Sequence, residues 1–352
     1  MNLWSYVLKR ILLMLPTLLG VVVITFGVIQ FVPGGPVEQA LIEMKGLGGG
    51  GEASGGGASQ YRGRQGVDAE RVNEIKALYG FDKPPAERFW QMLKGFATFD
   101  LGKSFYHHGD VWQLVKSKMP VSITIGLWTF FLTYLISLPL GIAKAVREGS
   151  AFDSATSALV LVGYSIPGFV LGVFLLVVFG GGSFVQWFPL RGLTSDDWAT
   201  LSLLGKVKDY LWHITLPVIA SVAGSFAVMT MLTKNTFLEE IRKQYVLTAR
   251  AKGLSENTVL YKHVFRNALI PLVTGFPAAF IGAFFTGSLL IETLFSLDGL
   301  GLLSYESVIR RDYPVVMGTL YLFTLIGLVV KLLGDLCYVW ADPRVQFESL
   351  AK

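Results

Sequence analysis

Apolar residues in this chain run in long unbroken stretches, not at the spacing of a half-buried soluble helix. The first, ILLMLPTLLGVVVITFGVIQFV, occupies residues 11–32. At ~1.5 Å per residue it reaches ~33 Å, enough for a hydrocarbon core of ~30 Å. Five more spans are predicted at 120–143, 156–181, 212–233, 268–291 and 315–340. Six spans leave both termini on one side. The first stretch is too long for a signal-peptide core, and Pro33-Gly34-Gly35-Pro36 follows it instead of a small-residue cleavage site, so residues 1–32 are an N-terminus plus an uncleaved span.

Between the first two spans, residues 33–119 form a long polar excursion. Its 46–66 part is rich in Gly and Ser and reads as flexible. Residues 68–119 read as a small helical cap, with Ile75, Leu78 and Tyr79, then Phe89, Met92, Leu93 and Phe96, at helical spacing. A five-helix core covers 120–340, interrupted by a basic loop at 234–267, and 341–352 is a short tail. The fold class is therefore all-α and polytopic.

Composition agrees: 52% of the residues are hydrophobic and only 16% charged, against about 25% charged in an ordinary soluble domain. The distribution of charge matters more than its net value. The terminal side carries 13 Lys and Arg, seven of them between 234 and 267, while the opposite short loops carry five. The 11 in the long excursion count weakly, so the termini and the 234–267 loop are placed in the cytoplasm. Lys331 and Asp335, four apart in the last span, are expected to pair. Deep carboxylates or histidines spread over several spans, as an ion-coupled carrier needs, are missing. Gly168, Gly172, Gly224, Ser225, Gly275, Ala278, Ala279 and Gly282 suit close helix contact.

Candidate chemistry is thin. Cys337 is the only cysteine, and the four histidines, with His107 and His108 adjacent, show no metal spacing. Gly102-Lys103-Ser104 ends like a phosphate loop, but the first glycine of that pattern falls at Ala97. Gly46, Gly48 and Gly51 satisfy a dinucleotide fingerprint only because their segment is mostly glycine. No nucleophile and base stand together. The expectation is no catalytic residue, no metal and no cofactor in this chain.

The 234–267 loop carries the most information. Phe237, Ile241, Tyr245, Thr248 and Lys252 recur at three or four residues and are predicted to share one helical face. Gly253 is a natural helix stop, and Ser255 caps a second helix running to about Arg266. Three readings remain open on these residues: a solvated basic connector, a DNA-binding helix-turn-helix, and a docking element for a cytoplasmic partner. Spans directly at both ends keep the loop from a DNA groove.

YVLTARAKGLSENTVLYKHVFRNALIP, residues 245–271, resembles the cytoplasmic loop of ABC-importer permeases in their dipeptide and oligopeptide form. The likeness extends to KRILLMLPTLLGVVVITF, YGFDKPPAERFWQMLKGFATFDLGKS, MPVSITIGLW, SIPGFVLG, WHITLPVIA, ETLFSLDGLGLLSYESVIRRDYPVVMGTLY and the terminal ADPR. With the glycine-rich insertion after Pro33, it points to the first permease of Yej-type oligopeptide and microcin C importers. The superfamily's Glu-Ala-Ala triplet reads Leu247-Thr248-Ala249 here.

The resemblance implies a type I importer permease of six helices in the bacterial inner membrane, forming half of a peptide pathway. A second permease supplies the other half, two nucleotide-binding domains or one fused pair bind ATP and Mg, and a periplasmic binding protein delivers peptide. No nucleic acid is implied. Tyr245, Thr248, Ala249, Arg250, Ala251, Lys252 and Gly253 are then the ATPase-coupling residues: Gly253 allows the turn, Ala249 and Ala251 allow close seating, and Arg250 and Lys252 hold the partner. Glu292, Asp298, Glu306 and Asp312 are candidate binding-protein contacts, with solvated charge as the alternative. A stand-alone channel or carrier, or a structural subunit of a larger complex, remains the competing class.

Overall fold

The structure, a computed structural model, describes residues 3–31, 76, 81–107, 109–181, 184–285 and 288–341. The glycine-rich 46–66 segment, Ile75, Leu78, Tyr79, His108 and the 342–352 tail lie outside the described residues. Among those described there is no β-strand, only an isolated bridge between Lys103 and Asp110.

Helices follow the apolar stretches and overrun them. They are α1 (Leu3–Phe31), α2 (Pro85–Ala97), α3 (Val111–Val146), α4 (Ala151–Ser165), α5 (Gly168–Phe179) and α6 (Leu203–Ile241). Then come α7 (Gln244–Ala251), α8 (Glu256–Ala268), α9 (Ile270–Phe285), α10 (Leu289–Leu294), α11 (Leu300–Ile309) and α12 (Tyr313–Ala341). Among the described residues four helices are long and apolar enough to cross a membrane, or six candidate spans if each bent pair is one.

The predicted span at 156–181 is such a pair: α4 and α5 meet at 92°. Pro167 has no N–H to give, and Ile166 before it is extended at φ −91°, ψ 117°. α8 and α9 are bent by 51° beside Leu269 and Pro271.

Two compact units divide the chain. One comprises residues 1–13, 118–303 and 326–352; the other comprises 14–117 and 304–325. In the first, α3, α5, α6 and α10 bury Ile125, Leu175, Leu176, Ile214, Leu216 and Phe295 together. Helix approach there is set by missing side chains. A Cβ on Gly126 would fall 1.6 Å from the Ala283 carbonyl oxygen, and one on Gly168 would fall 2.7 Å from that of Ala220. Gly224 and Gly275, expected to serve the same purpose, face open space.

An ion cluster the sequence did not disclose joins α3, α4 and α6. Both carboxylate oxygens of Asp153 accept from Lys234 at 2.7 Å, and the fully buried Lys144 reaches Asp153, Thr156 and Ser157. Asp335 does not pair with Lys331 as expected; it accepts from Tyr6 at 2.7 Å and lies 3.0 Å from Arg10, a partner on another helix with better reach than one on its own.

In the second unit, α2 packs Phe96 on Tyr321 and Phe89 on Phe26, with Arg88 donating to Gln30 at 2.8 Å. The Gly102-Lys103-Ser104 turn is structural. Gly102 has φ +80°, and Ser104 donates a short bond to Asp312. The amides of Phe105 and Tyr106 donate to the same carboxylate at 3.0 and 3.3 Å.

Candidate functional site

α6 ends at Ile241, and a separate helix, α7, starts at Gln244. The single face predicted from Phe237 to Lys252 is therefore broken. Inside α7 the buried positions are Val246 and Ala249, whereas Thr248 and Lys252 are exposed. The break matters because α7 leaves the axis of α6 and presents a new surface.

Gly253 ends α7 at φ +79°, where a side chain would strain the backbone. The amide of Leu254 donates to Ala249 O at 3.4 Å and that of Gly253 to Arg250 O at 2.9 Å, the paired bonds of a Schellman stop. Ser255 then caps α8 through the amide of Thr258. From Val259 to Val264 the helix widens to π form. In an α-helix five residues turn through about 140° past a full circle, so these two valines would diverge. The wider turn lets both enter one core with Phe237, Val246, Ala249 and Ala268.

A polar chain fastens this core at its edge. The Tyr245 hydroxyl donates to Glu240 at 2.6 Å and accepts from Asn267 at 3.2 Å, tying α6, α7 and α8. Burial, and then the bond to Glu240, raises the phenol's pKa, so it stays a donor. Lys243 also binds Glu240, which raises the ammonium's pKa. Arg242 grips both oxygens of Glu148 at 2.7 and 2.8 Å.

The expected coupling residues thus divide. Tyr245 and Ala249 face the supporting core, Arg250 chelates Glu256 at 2.9 to 3.2 Å, and Thr248, Ala251, Lys252 and Gly253 are exposed. Leu247 and Leu254, 48% and 38% exposed, stand among them and were not singled out by sequence. Their signal was an apolar residue beside the basic core, easily read as inward-facing.

The four acids also divide. Glu292 is 2% exposed and Asp312 is 1%, so neither lies on the surface of this chain. Glu292 accepts from Ser122 at 2.9 Å and from the amides of Gly301 and Leu302 at the start of α11. Burial nonetheless pushes its carboxyl up, those bonds offsetting only part of the desolvation. Ser122 accepts from the Leu300 amide at 2.8 Å, completing the helix cap. Asp298 is exposed and ion-paired with Lys118; Glu306 is half-buried and lies 3.7 Å from Arg310.

A cavity of about 920 Å³ lies within the first unit among α3, α4, α5, α6, α9 and α10. Thr129, Thr133, Ser221, Tyr134 and Phe130 are among its walls. The second unit has its own cavity of about 650 Å³, where Arg88, with a buried Nε lacking a partner, meets Phe26 and Met92. Among the described residues no cluster of His, Cys, Asp or Glu fits a metal.

Comparison with known proteins adds the following. Residues 137–347 match the model of the family described as binding-protein-dependent transport system inner membrane component. The chain is 53% identical to the peptidoglycan transport system permease protein YejB of Agrobacterium fabrum, covering 98% of each. It is 51% identical to the inner membrane ABC transporter permease protein YejB of Escherichia coli O157:H7, over 98% of this chain and 99% of that one. The dipeptide transport system permease protein DppB of Escherichia coli K12 is 30% identical over the same shares. Among solved structures, an inward facing MetNI methionine ABC transporter gives a TM-score of 0.48 at 19% identity, covering 66% of this chain and 97% of that one.

Proposed function

The chain belongs to the binding-protein-dependent transport system inner membrane components, which makes it a multi-pass ABC-transporter permease subunit, and from that premise we propose its place in the machine. It crosses a bacterial inner membrane six times, counting each bent pair as one span, with both termini in the cytoplasm. It forms half of the pathway for peptides or peptide-like compounds, the class suggested by the names of its relatives. A second permease completes the pathway, and a binding protein delivers substrate outside. ATP and Mg belong to two nucleotide-binding domains, or one fused pair, and no cofactor belongs to this chain.

The observation that carries the reading is α7. An eight-residue helix with its own core beneath it exposes Leu247, Thr248 and Ala251, and the Schellman stop behind it exposes Lys252 and Leu254. A short helix fixed on two long ones transmits force, because close-packed cores yield little. This element seats in the ATPase, with the two leucines as apolar contacts and Lys252 as the free charge beside them. Asp298 and Glu306 are the acids left for the binding protein.

The test is copurification with ATPase turnover in the assembled complex. Gly253→Val with Arg250→Glu places a branched side chain at positive φ, worth about 1–3 kcal/mol of strain, and reverses the charge. Retained ATPase binding together with retained peptide uptake in that variant overturns the assignment.

A further inference from the structure

Arg88 stands apart from other arginines of this chain. Arg10, Arg242, Arg250 and Arg310 each face a carboxylate. Arg88 faces none among the described residues. One terminal nitrogen donates to the Gln30 side chain at 2.8 Å, and the guanidinium lies over the Phe81 ring at 4.4 Å. Burial lowers its pKa, whereas hydrogen bonds to Tyr6 and Glu240 raise those of Arg10 and Lys243. Its Nε is sealed from solvent, but the second terminal nitrogen has no partner among the described residues and is not sealed. A half-buried cation with an open donor on a cavity wall calls for an anion beside it.

The cavity is that of about 650 Å³ in the second unit, an ordinary size for a small-ligand site. Its wall mixes two chemistries. Phe26 and Ile29 belong to the end of the first apolar run and Met317 to the start of the last, so these residues stand at the edge of the hydrocarbon. Arg88, Lys103 and Asp100 carry the charge. Lys103 is exposed, as is Asp100, which accepts from the Gly102 amide at 3.0 Å and keeps lone pairs to spare. On the same unit Trp90 and Phe99 are exposed, and Lys94 reaches over the Trp90 ring at 5.5 Å. Exposed rings of this kind, one with a lysine folded over it, belong at a membrane–water boundary.

A free anion would use the cations and leave the apolar wall wet. A molecule with a phosphate, an ammonium and acyl chains satisfies every part of the wall. Phosphate suits the planar fork of Arg88, Lys103 adds a second positive charge, and an ammonium suits Asp100. We propose that this cavity holds the headgroup of a phosphatidylethanolamine from the surrounding bilayer, its upper acyl chains against Phe26, Ile29 and Met317. The leaflet is the outer one on the orientation proposed above; the site itself does not depend on that orientation.

In the experiment the full-length chain, purified in detergent and stripped of lipid, is titrated with dioleoyl phosphatidylethanolamine. Native mass spectrometry counts the first bound equivalent. Arg88→Gln is expected to raise the half-saturating concentration about tenfold, for one charge-assisted bond lost. Lys103→Gln, at an exposed position where folding is not at stake, raises it about threefold. Arg88→Lys keeps the charge but not the fork and falls between wild type and Arg88→Gln. Dioleoylglycerol, with the same chains and no phosphate, does not compete, and excess inorganic phosphate displaces nothing. Wild-type affinity in both Arg88→Gln and Lys103→Gln, or competition by dioleoylglycerol, overturns the site. Displacement by inorganic phosphate makes it a free-anion site and overturns the lipid. Equal wild-type affinity for dioleoyl phosphatidylglycerol overturns the placing of the ammonium at Asp100.

Discussion

At the scale of single residues, buried polar groups do the joining. Glu292 links α10, α3 and the start of α11 through one carboxylate. Its pKa is raised by burial, so the folded state binds a proton more tightly than the unfolded chain. The sign follows: this contribution to stability is full below the ordinary carboxylate range and is lost as pH rises through the raised value. Glu292→Gln removes that slope. Its amide NH2 must then face either the donating amides of Gly301 and Leu302 or the donating hydroxyl of Ser122, so stability falls by about 1–3 kcal/mol. Apparent melting in detergent from about pH 4 to about pH 8 checks both, and an unchanged slope refutes the role of Glu292. Lys144, fully buried against Asp153, Thr156 and Ser157, makes a second case. Lys144→Met leaves Asp153 paired with Lys234 and the Gly149 amide but deletes the ammonium's bonds to Thr156 and Ser157, and is expected to cost about 1–3 kcal/mol, read as a drop in apparent Tm.

At the scale of elements, the bends carry the meaning. Pro167 turns α5 away from α4, and Gly168 lets the turn touch the backbone of α6 at Ala220. Gly168→Leu has no room to relax, because the clash is with a carbonyl oxygen and not a side chain. Expression of a monodisperse protein should collapse, and normal gel filtration would contradict this contact. α7 gives the opposite expectation. Leu247→Asp with Leu254→Asp alters only exposed positions, so the permease should fold and elute as wild type while ATPase copurification falls at least about tenfold, as for loss of apolar contacts at an interface centre. Equal recovery of ATPase would place the docking surface elsewhere.

At the scale of the whole molecule, parity decides topology. The termini share a side when both bent pairs, α4 with α5 and α8 with α9, cross once, giving six spans, or when neither does, giving four; they part if only one pair crosses. Single cysteines at Asn257 and Asp197, both exposed, report opposite faces once Cys337 is replaced by Ser. An impermeant maleimide added to intact spheroplasts should label Asp197→Cys and spare Asn257→Cys. Labelling of both, or the reverse, overturns the orientation drawn from Lys and Arg.

The sequence by itself determined the class of this protein, the approximate positions of its hydrophobic stretches and the turn at Gly253. Each rests on local chemistry: the length of an apolar run, the freedom of one glycine, a serine placed to cap. The resemblance of residues 245–271 reached the family for the same reason, since a contiguous segment can be matched without its surroundings. Only the tertiary structure decided which way side chains face. Glu292 and Asp298 lie six residues apart in one acidic stretch, yet one is sealed beneath a helix end and the other lies open, because Ser122 and the first amides of α11 converge on the first alone. Asp153 finds Lys234, 81 residues away, and Asp335 finds Tyr6, 329 away. Partnership across such distances depends on where helices cross, and that is set by the packing of many side chains at once.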